Sequence, residues 1–194
     1  MGEFVTAGHL GGYVAGGDPD TYCPALWNWL VQEYGVGSML DVGCGDGATM
    51  DYFAELGCYV HGVDGVIQEN PRILCWDYTH GPRLFFSRDL VWSCEFVEHV
   101  EEQYVSNFLA TFECARLLLM THAEPGQPGW HHVNCQPASY WINRIEEIGL
   151  SFDPELTMRT RSLATVGATP GNYYVKTGLA FIRTRAVEEK EIDV

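Results

Sequence analysis

The sequence predicts an α/β fold in which helices cover both faces of a mostly parallel sheet. Short apolar runs typical of buried strands alternate with longer segments whose apolar residues recur at helical spacing. The chain has 194 residues, of which 46% are hydrophobic and 19% charged, and this balance predicts a packed core. We therefore expect a single domain built on one doubly wound sheet.

The order of the elements follows from these patterns and from the residues that punctuate them. Pro24 lies in the first turn of the first predicted helix, and Gly35 follows its end. Gly57 and Gly149 end two later helices. In order, we predict a helix over 24–34, a strand over 38–42, a helix over 47–57, strands over 58–63, 72–76 and 89–94, a helix over 99–113, a strand over 116–122, a helix over 137–150, and strands near 151–153 and 177–185. No helix is predicted between the last two strands, which we expect to pair antiparallel at the sheet edge.

Charge and cysteine usage narrow the class of protein. Twenty-six acidic residues against 11 Lys and Arg give a net charge of −15, which disfavours nucleic acid as a partner. The seven cysteines are spaced singly, so neither a zinc site nor a disulfide framework is predicted, and a cytoplasmic location fits best. We find no apolar run long enough to cross a membrane and no secretory signal.

A glycine-rich loop joins the first predicted strand to the second helix. Gly43, Gly45 and Gly47 alternate there, and glycines permit positive φ angles and close approach of a ligand. Asp64 ends the next strand, 21 residues after Gly43. With Ala48 in the third position, the loop satisfies the dinucleotide fingerprint G-x-G-x-x-G/A, in which Asp64 binds the ribose hydroxyls.

Two details disfavour a dinucleotide. Asp41 ends the first strand beside the place of a pyrophosphate, which its charge would repel, and the third glycine falls at 47. A negative charge suits a ligand with an ammonium group, such as the methionyl part of S-adenosylmethionine. Asp64 can still bind the ribose hydroxyls, and Asp77 is placed to meet the adenine amino group. The alternative for Asp77 is a cap on a turn with Thr79.

The motif series resembles that of the class I S-adenosylmethionine-dependent methyltransferases. "LDVGCGDG" with Asp64, then "CWDY", then "DLVWSCEFVEHV" occur in the expected order over about residues 39–123. The resemblance implies a seven-stranded Rossmann-like sheet with one antiparallel strand near the edge. It also implies that residues 1–194 form one methyltransferase domain. The parts of that domain are a lid and first helix (1–36), a cofactor-binding half (37–123) and a substrate-side half (124–194).

The resemblance also assigns residues to S-adenosylmethionine, with Cys94 and Glu95 bordering the sulfonium and the substrate. The residues that we expect to bind the cofactor are Asp41, Gly43, Cys44, Gly45, Gly47, Asp64, Gly65, Asp77, Tyr78, Cys94 and Glu95. For Glu98 and His99 we prefer a plain position at a helix start, where a carboxylate is favourable without any catalytic role.

A histidine-rich loop, "THAEPGQPGWHHVNCQP" (121–137), follows the central strand, and loops at that end of a sheet overhang the ligand. This loop is similar to one in small bacterial and phage-type methyltransferases. We expect one histidine to be a catalytic base, with His132 and His131 ahead of His122. Alternatively, the histidines only hold the loop by hydrogen bonds. A metal bound by all three is disfavoured, because adjacent histidines point apart on an extended chain, and we expect no metal.

Aromatic and glycine-rich segments complete the expected site. Trp130, Tyr140 and Trp141 are predicted to form an apolar wall that excludes water. The N-terminal segment is predicted to close as a lid. The lid residues would be Tyr13, Asp18, Thr21 and Tyr22, with Gly11, Gly12, Gly16 and Gly17 as hinges. The alternative is a surface arm that packs on the first helix through Tyr22 and Trp27.

We therefore expect S-adenosylmethionine-dependent methyl transfer to a small-molecule or sugar acceptor, with O-methylation as the first choice. The runner-up hypotheses are an NAD-linked oxidoreductase and a non-catalytic protein that binds S-adenosylmethionine. The basic stretch "MRTRSL" (158–163) is interpreted as an edge strand protected by charge. Its alternative is a basic rim for an anionic acceptor such as a phosphorylated sugar.

Overall fold

A seven-stranded sheet forms the centre of the computed structural model, which describes residues 8–12 and 14–183. The strands are β1 (Ser38–Val42), β2 (Tyr59–Asp64), β3 (Ile73–Cys75), β4 (Arg88–Ser93), β5 (Ala115–Met120), β6 (Leu150–Phe152) and β7 (Leu179–Arg183). They lie in the order β3-β2-β1-β4-β5-β7-β6. Five neighbouring strands, β3, β2, β1, β4 and β5, run parallel to one another. Strand β7 is antiparallel to both of its neighbours, β5 and β6.

Helices cover both faces of this sheet, which confirms the doubly wound arrangement. They are α1 (Pro24–Gln32), α2 (Ala48–Glu55), α3 (Val105–Phe112), α4 (Ala138–Glu146), α5 (Pro154–Ala164) and α6 (Tyr173–Thr177). Short 3₁₀ turns lie at Pro19–Thr21, Tyr78–His80, Val97–His99 and Glu102–Tyr104. No helix in the described ranges is both long and apolar enough to cross a membrane.

The core consists of two layers because successive side chains of a strand point to opposite faces of the sheet. Met39 of β1 packs in the layer under α1, α2, α5 and α6, and its neighbour Leu40 packs in the layer under α3 and α4. Trp27 and Trp92 meet edge to face in the first layer at 5.9 Å between ring centroids. Each fully buried large side chain contributes about 1.5–3 kcal/mol through the apolar surface removed from water.

Two sequence expectations about this architecture are wrong. Helices α5 and α6 lie between β6 and β7, and the stretch 158–163 is part of α5, not an edge strand. Helix α5 begins at Pro154, because the carboxylate of the preceding Asp153 accepts the Leu156 N–H at 2.8 Å and proline suits the first turn of a helix. The second error concerns α3, which begins at Val105 after two 3₁₀ turns and not at residue 99.

Trp141 also differs from its expected position. It was predicted to line the ligand cavity with Trp130 and Tyr140, but it is fully buried beneath α4, 6.2 Å from the Phe108 ring. Tyr140 packs edge to face on Trp141 and likewise does not line the cavity. The spacing of apolar residues correctly predicted that Tyr140 and Trp141 lie on one helix. Packing of that helix against the sheet buries Trp141. Tyr13 and residues 184–185 of the last predicted strand lie outside the described residues.

Candidate functional site

A cavity of about 330 Å³ opens at the carboxyl ends of β1, β2 and β4. This volume is at the lower end of the range of small-molecule sites, which is about 300–1,000 Å³. Its walls come from the loop after β1, the turn after β4, the N-terminal segment and the loop 121–137. In open α/β sheets the ligand lies at this edge, where the strand order reverses on the two sides of β1.

The glycine loop forms the floor of the cavity. Gly43, Gly45 and Gly47 have φ angles of +77°, +54° and +95°, a region that side chains disfavour. A Cβ atom at Gly43 would lie 2.7 Å from the Cβ of Phe96. The loop therefore requires glycine for its conformation at three positions, and at Gly43 also for a close approach.

Asp64 is held rigidly at the end of β2. Its two carboxylate oxygens accept the backbone N–H groups of Gly45 and Val66, both at 2.8 Å. Burial raises the pKa of Asp64, and these two hydrogen bonds lower it by less. Each oxygen retains a second lone pair, so the carboxylate can also accept hydrogen bonds from a ligand.

Asp41 is the most deeply buried acid of the cavity wall. Its side chain is 3% exposed, and burial together with the charge of Asp64 raises its pKa to about 8. A nearby cation would favour the ionised form and lower this pKa again. The site is thus arranged to stabilise a positive group at the end of β1.

Asp77 has the turn-capping position that we considered as an alternative, and it lines the cavity as well. One carboxylate oxygen accepts the Thr79 N–H at 2.8 Å, and the other lies 2.9 Å from Nε2 of His9. Burial raises the pKa of Asp77, but the hydrogen bonds from Thr79 and His9 outweigh it and hold the pKa below its usual value.

The structure gathers most of the predicted cofactor residues at this one cavity. The residues that line it from the predicted set are Asp41, Gly43, Cys44, Gly45, Asp64, Gly65, Asp77, Tyr78, Cys94 and Glu95. Gly47 does not line it, because it precedes α2 as the N-terminal cap residue. Glu95 has a φ of +54°, and its carboxylate accepts the Thr121 hydroxyl at 3.0 Å.

The cavity is strongly acidic. Among the described residues that line it, no side chain is Lys or Arg. The carboxylates that line it are Asp18, Asp41, Asp46, Asp64, Asp77, Glu95 and Glu101. Such a wall attracts cations and repels phosphate groups.

The basic rim that we considered as the alternative for 158–163 is therefore wrong. Arg159 packs over the Trp29 ring at 4.6 Å, and Arg161 donates from Nε to the Val175 carbonyl at 2.8 Å. Neither guanidinium reaches the cavity.

The three predicted histidines have separate positions. His132 lines the cavity, whereas His131 does not. His131 has a φ of +44°, and its Nε2 lies 3.7 Å from Oε1 of Glu101. His122 is 1% exposed and does not line the cavity. The trio considered from the sequence as metal ligands is therefore not brought together, because the chain turns sharply at His131.

The tautomer of His132 follows from its hydrogen bond. Nδ1 lies 3.0 Å from the Gln127 carbonyl oxygen, which can only accept, so Nδ1 carries the hydrogen and donates it. In the neutral ring, Nε2 then has a free lone pair, which suits either a proton or a metal ion.

The sequence did not predict that the turn after β4 buries Glu98 and brings His99 next to His132. Glu98 is fully buried, although we expected a plain helix start, and the ring of His99 lies 5.0 Å from that of His132. Burial and the neighbouring His132 lower the pKa of His99 to about 4, so that His99 is neutral at pH 7. The signal available was the position of "EFVEHV" directly after β4, at the ligand edge of the sheet.

The described part of the N-terminal segment, residues 8–12 and 14–22, lines the cavity and also packs on α1. His9 contacts Asp77, and a Cβ at Gly65 would lie 2.4 Å from Leu10. Tyr22 packs edge to face on Trp27 at 5.0 Å. The packing of Tyr22 on Trp27 agrees with the arm alternative. Closure of the segment as a lid stays a prediction.

Gly129 positions the His132 ring. A Cβ atom there would lie 2.1 Å from Nε2 of His132, and Gly129 has no positive φ that would itself oppose alanine. We expect Gly129→Ala to displace the ring and to disrupt the Nδ1 hydrogen bond to Gln127, while the protein stays folded. Long-range ¹H–¹⁵N NMR of the histidine rings measures this as loss of the Nδ1–H tautomer in about half or more of the molecules, since a neutral hydrogen bond is worth only about 1 kcal/mol.

Gly37→Ala is the matched control, because a Cβ there makes only an ordinary contact of 3.7 Å with Asp89, remote from the cavity. An unchanged His132 tautomer in Gly129→Ala would contradict the packing described here.

Comparison with known proteins supports the fold. The chain has the fold of the class I S-adenosylmethionine-dependent methyltransferases. It is similar to magnesium protoporphyrin IX methyltransferase of Synechocystis PCC 6803, solved with bound S-adenosylmethionine (17% identity, TM-score 0.56, 82% of this chain and 77% of that one). It is also similar to 1,6-didemethyltoxoflavin-N1-methyltransferase of Burkholderia thailandensis (14% identity, TM-score 0.57, 83% and 77%). No family model and no curated protein matches the sequence.

Proposed function

We propose that this protein transfers the methyl group of S-adenosylmethionine to a small acceptor that is uncharged or cationic, with a hydroxyl as the acceptor group. One observation carries the proposal. An acidic cavity, without Lys or Arg among its described lining residues, is built on a positive-φ glycine loop in a fold of this class. S-adenosylmethionine carries a sulfonium and an ammonium group, and both are favoured by such a wall.

The residues present fit this cofactor. Asp41 would face the ammonium group, Asp64 the two ribose hydroxyls and Asp77 the adenine amino group, in the order in which the strands present them. Cys94 and Glu95 would border the sulfonium and the acceptor. The solved relatives from Synechocystis and Burkholderia contain S-adenosylmethionine or S-adenosylhomocysteine, which agrees with this assignment.

Catalysis would rest mainly on positioning. Bound S-adenosylmethionine supplies a methyl group that the sulfonium already activates for direct in-line displacement. The chain would align the acceptor and exclude water, and alignment alone can supply several kcal/mol of the barrier, about 7 or more in the best cases. His132 would take the hydroxyl proton at Nε2. We leave His131 and His122 out of this step because neither lines the cavity.

The same electrostatics favour this proposal over an NAD-linked oxidoreductase. The pyrophosphate of NAD would lie beside Asp46, whose charge repels it, and beside Asp41, whose ionisation it would oppose. A phosphorylated acceptor is disfavoured for the same reason, whereas a free hydroxyl of a sugar is compatible. The second candidate is a protein that binds S-adenosylmethionine without catalysis. It would bind the cofactor equally well but would methylate no acceptor.

Isothermal titration tests the proposal with S-adenosylmethionine, S-adenosylhomocysteine and NADH as ligands. We expect dissociation constants of roughly 1 μM for the first two, about −8 kcal/mol, and no measurable binding of NADH. An acceptor screen with methyl-labelled cofactor then separates an enzyme from a binding protein. Binding of NADH alone would refute the proposal.

The pKa of Asp41 predicts a pH dependence of binding. The carboxyl is mostly protonated below its pKa of about 8 in the free protein, and an ammonium group favours its ionised form. Binding therefore releases a proton, and the affinity for S-adenosylhomocysteine should rise with pH between 6 and 7.5, by at most about tenfold per pH unit. Calorimetry at several pH values measures this slope.

Two controls isolate the effect of Asp41. Asp41→Asn should bind with a weaker pH dependence than the wild type, because the substituted side chain does not titrate, whereas Glu95, whose pKa burial raises to about 7, still does. In the wild type, 5′-methylthioadenosine should also show little dependence, because it lacks the ammonium group. A flat profile for the wild-type protein with S-adenosylhomocysteine would show that Asp41 does not face the ammonium.

A further inference from the structure

We propose that Glu98, His99 and His132 form a binding site for a divalent transition-metal ion in the wall of the cavity. Each side chain offers one ligand atom, and the three atoms lie within 4.8 Å of one another. First-row metals bind nitrogen and oxygen ligands at about 2.0–2.2 Å, so small side-chain rotations bring all three atoms to one ion.

The state of Glu98 is the observation that points to a ligand. Its side chain is 0% exposed, and neither carboxylate oxygen has a hydrogen-bond partner among the described residues. Burial and the charge of nearby Glu95 raise the pKa of Glu98 to about 8, and the backbone N–H groups of Glu98 and Phe96 lower it by less. Nδ1 of His99 is also buried, and no residue in the described ranges forms a hydrogen bond with it. Unsatisfied buried groups are costly, and a bound cation would satisfy them together.

Hydrogen bonds to the backbone fix the relative positions of the three ligand residues. The N–H groups of Val133 and Asn134 both donate to the Glu98 carbonyl at 3.0 Å, and the Asn134 side chain donates to the Val100 carbonyl at 3.1 Å. These bonds fasten the histidine loop to the turn that carries Glu98 and His99. The hydrogen bond from Nδ1 of His132 to a carbonyl is the kind that orients metal-binding histidines, leaving Nε2 for the ion.

The ligand set selects the class of metal. Two imidazoles and one carboxylate favour Mn²⁺, Fe²⁺, Co²⁺ or Zn²⁺ over Mg²⁺ and Ca²⁺, which prefer oxygen ligands only. His99 and His132 line the cavity, so the remaining coordination positions of the ion would face the place of the acceptor.

The role of the ion rests on the proposed function. A positive charge beside the acceptor hydroxyl lowers its pKa, and the proton leaves to solvent. The oxygen lone pair forms the new C–O bond with the methyl group, the C–S bond breaks, and its electron pair stays on sulfur as a neutral thioether. The ion keeps its oxidation state. Without the ion, Nε2 of His132 takes the proton directly.

Titration of the chelator-treated full chain with Co²⁺, followed by visible absorption, tests the site. We expect one Co²⁺ per chain with d–d bands, and affinity at least about tenfold weaker in Glu98→Gln, His99→Asn and His132→Asn. Glu102→Gln and His80→Asn are the matched controls, since neither belongs to the cluster, and they should bind Co²⁺ as the wild type does.

The outcomes separate this site from the proposed function. A variant at buried Glu98 can lose its fold, so thermal unfolding is measured for each variant and His132→Asn, in a loop, is the deciding one. No saturable Co²⁺ binding, or binding unchanged in His132→Asn, would overturn the site. S-adenosylhomocysteine is titrated into the same samples. Co²⁺ binding without S-adenosylhomocysteine binding would refute the proposed function and support the site, and the reverse would refute the site alone.

Discussion

Asp64→Ala is expected to weaken S-adenosylhomocysteine binding by about 100-fold or more. The carboxylate would accept hydrogen bonds from both ribose hydroxyls, and hydrogen bonds to a charged group are worth about 1.5–3 kcal/mol each. The same carboxylate accepts the N–H groups of Gly45 and Val66, so its loss also removes the hydrogen bonds that shape the glycine loop. Isothermal titration measures the change in the dissociation constant.

Asp51→Ala is the matched control for this prediction. Asp51 lies on α2 near the same loop, but its side chain is 56% exposed and pairs with Arg72 at the surface. Surface ion pairs contribute about 0–1 kcal/mol, so stability and binding should stay close to those of the wild type. Binding that is equally strong in Asp64→Ala and Asp51→Ala would show that the ligand does not lie at the end of β2.

Gly43→Ala is expected to reduce the free energy of unfolding by about 2–4 kcal/mol and binding by about 100-fold. Alanine at a φ of +77° costs about 1–2 kcal/mol. The added methyl would lie 2.7 Å from the Cβ of Phe96, an atom that no rotamer change can move away. The loop must therefore shift, and a misplacement of about 1 Å in a site can cost about 100-fold. Thermal unfolding and calorimetry measure the two effects.

Gly57→Ala separates strain from the close approach. Gly57 has a φ of +88°, and no atom lies within 4 Å of its ideal Cβ position. It should lose only about 1 kcal/mol, from the backbone conformation, and bind as the wild type does. If Gly43→Ala lost no more stability than Gly57→Ala, the contact between the loop and Phe96 would be excluded.

Much of the fold was predictable because the spacing of apolar residues along a segment indicates whether it forms a strand or a helix. The parallel strands β1, β2, β4 and β5 follow from short apolar runs, and the glycine loop follows from spacing along a single segment. Helix α5 was missed because its apolar residues are sparse. Its cap, Asp153 followed by Pro154, was the stronger signal, and we read the arginines after it as an edge strand.

The grouping of residues at the ends of β1 and β2 was predicted better than the grouping around the histidine loop. Asp41, the loop and Asp64 lie within one strand-helix-strand segment, so their proximity is a local property of the chain. Glu98 and His132 come from different segments, and hydrogen bonds from Val133 and Asn134 to the Glu98 carbonyl bring them together. No spacing in the sequence indicates such a pairing.

The sequence by itself determined the strands of the cofactor half, the need for glycine in the loop after β1 and the acids at the strand ends, because these depend on nearby residues and on the geometry of parallel strands. The tertiary structure decided which of the three predicted histidines reaches the cavity and that Trp141 belongs to the core. It also buried the Glu98 carboxylate away from any hydrogen-bond partner in the described part of the chain. Those outcomes depend on how distant segments pack, and packing determines which side chains lose their contact with water.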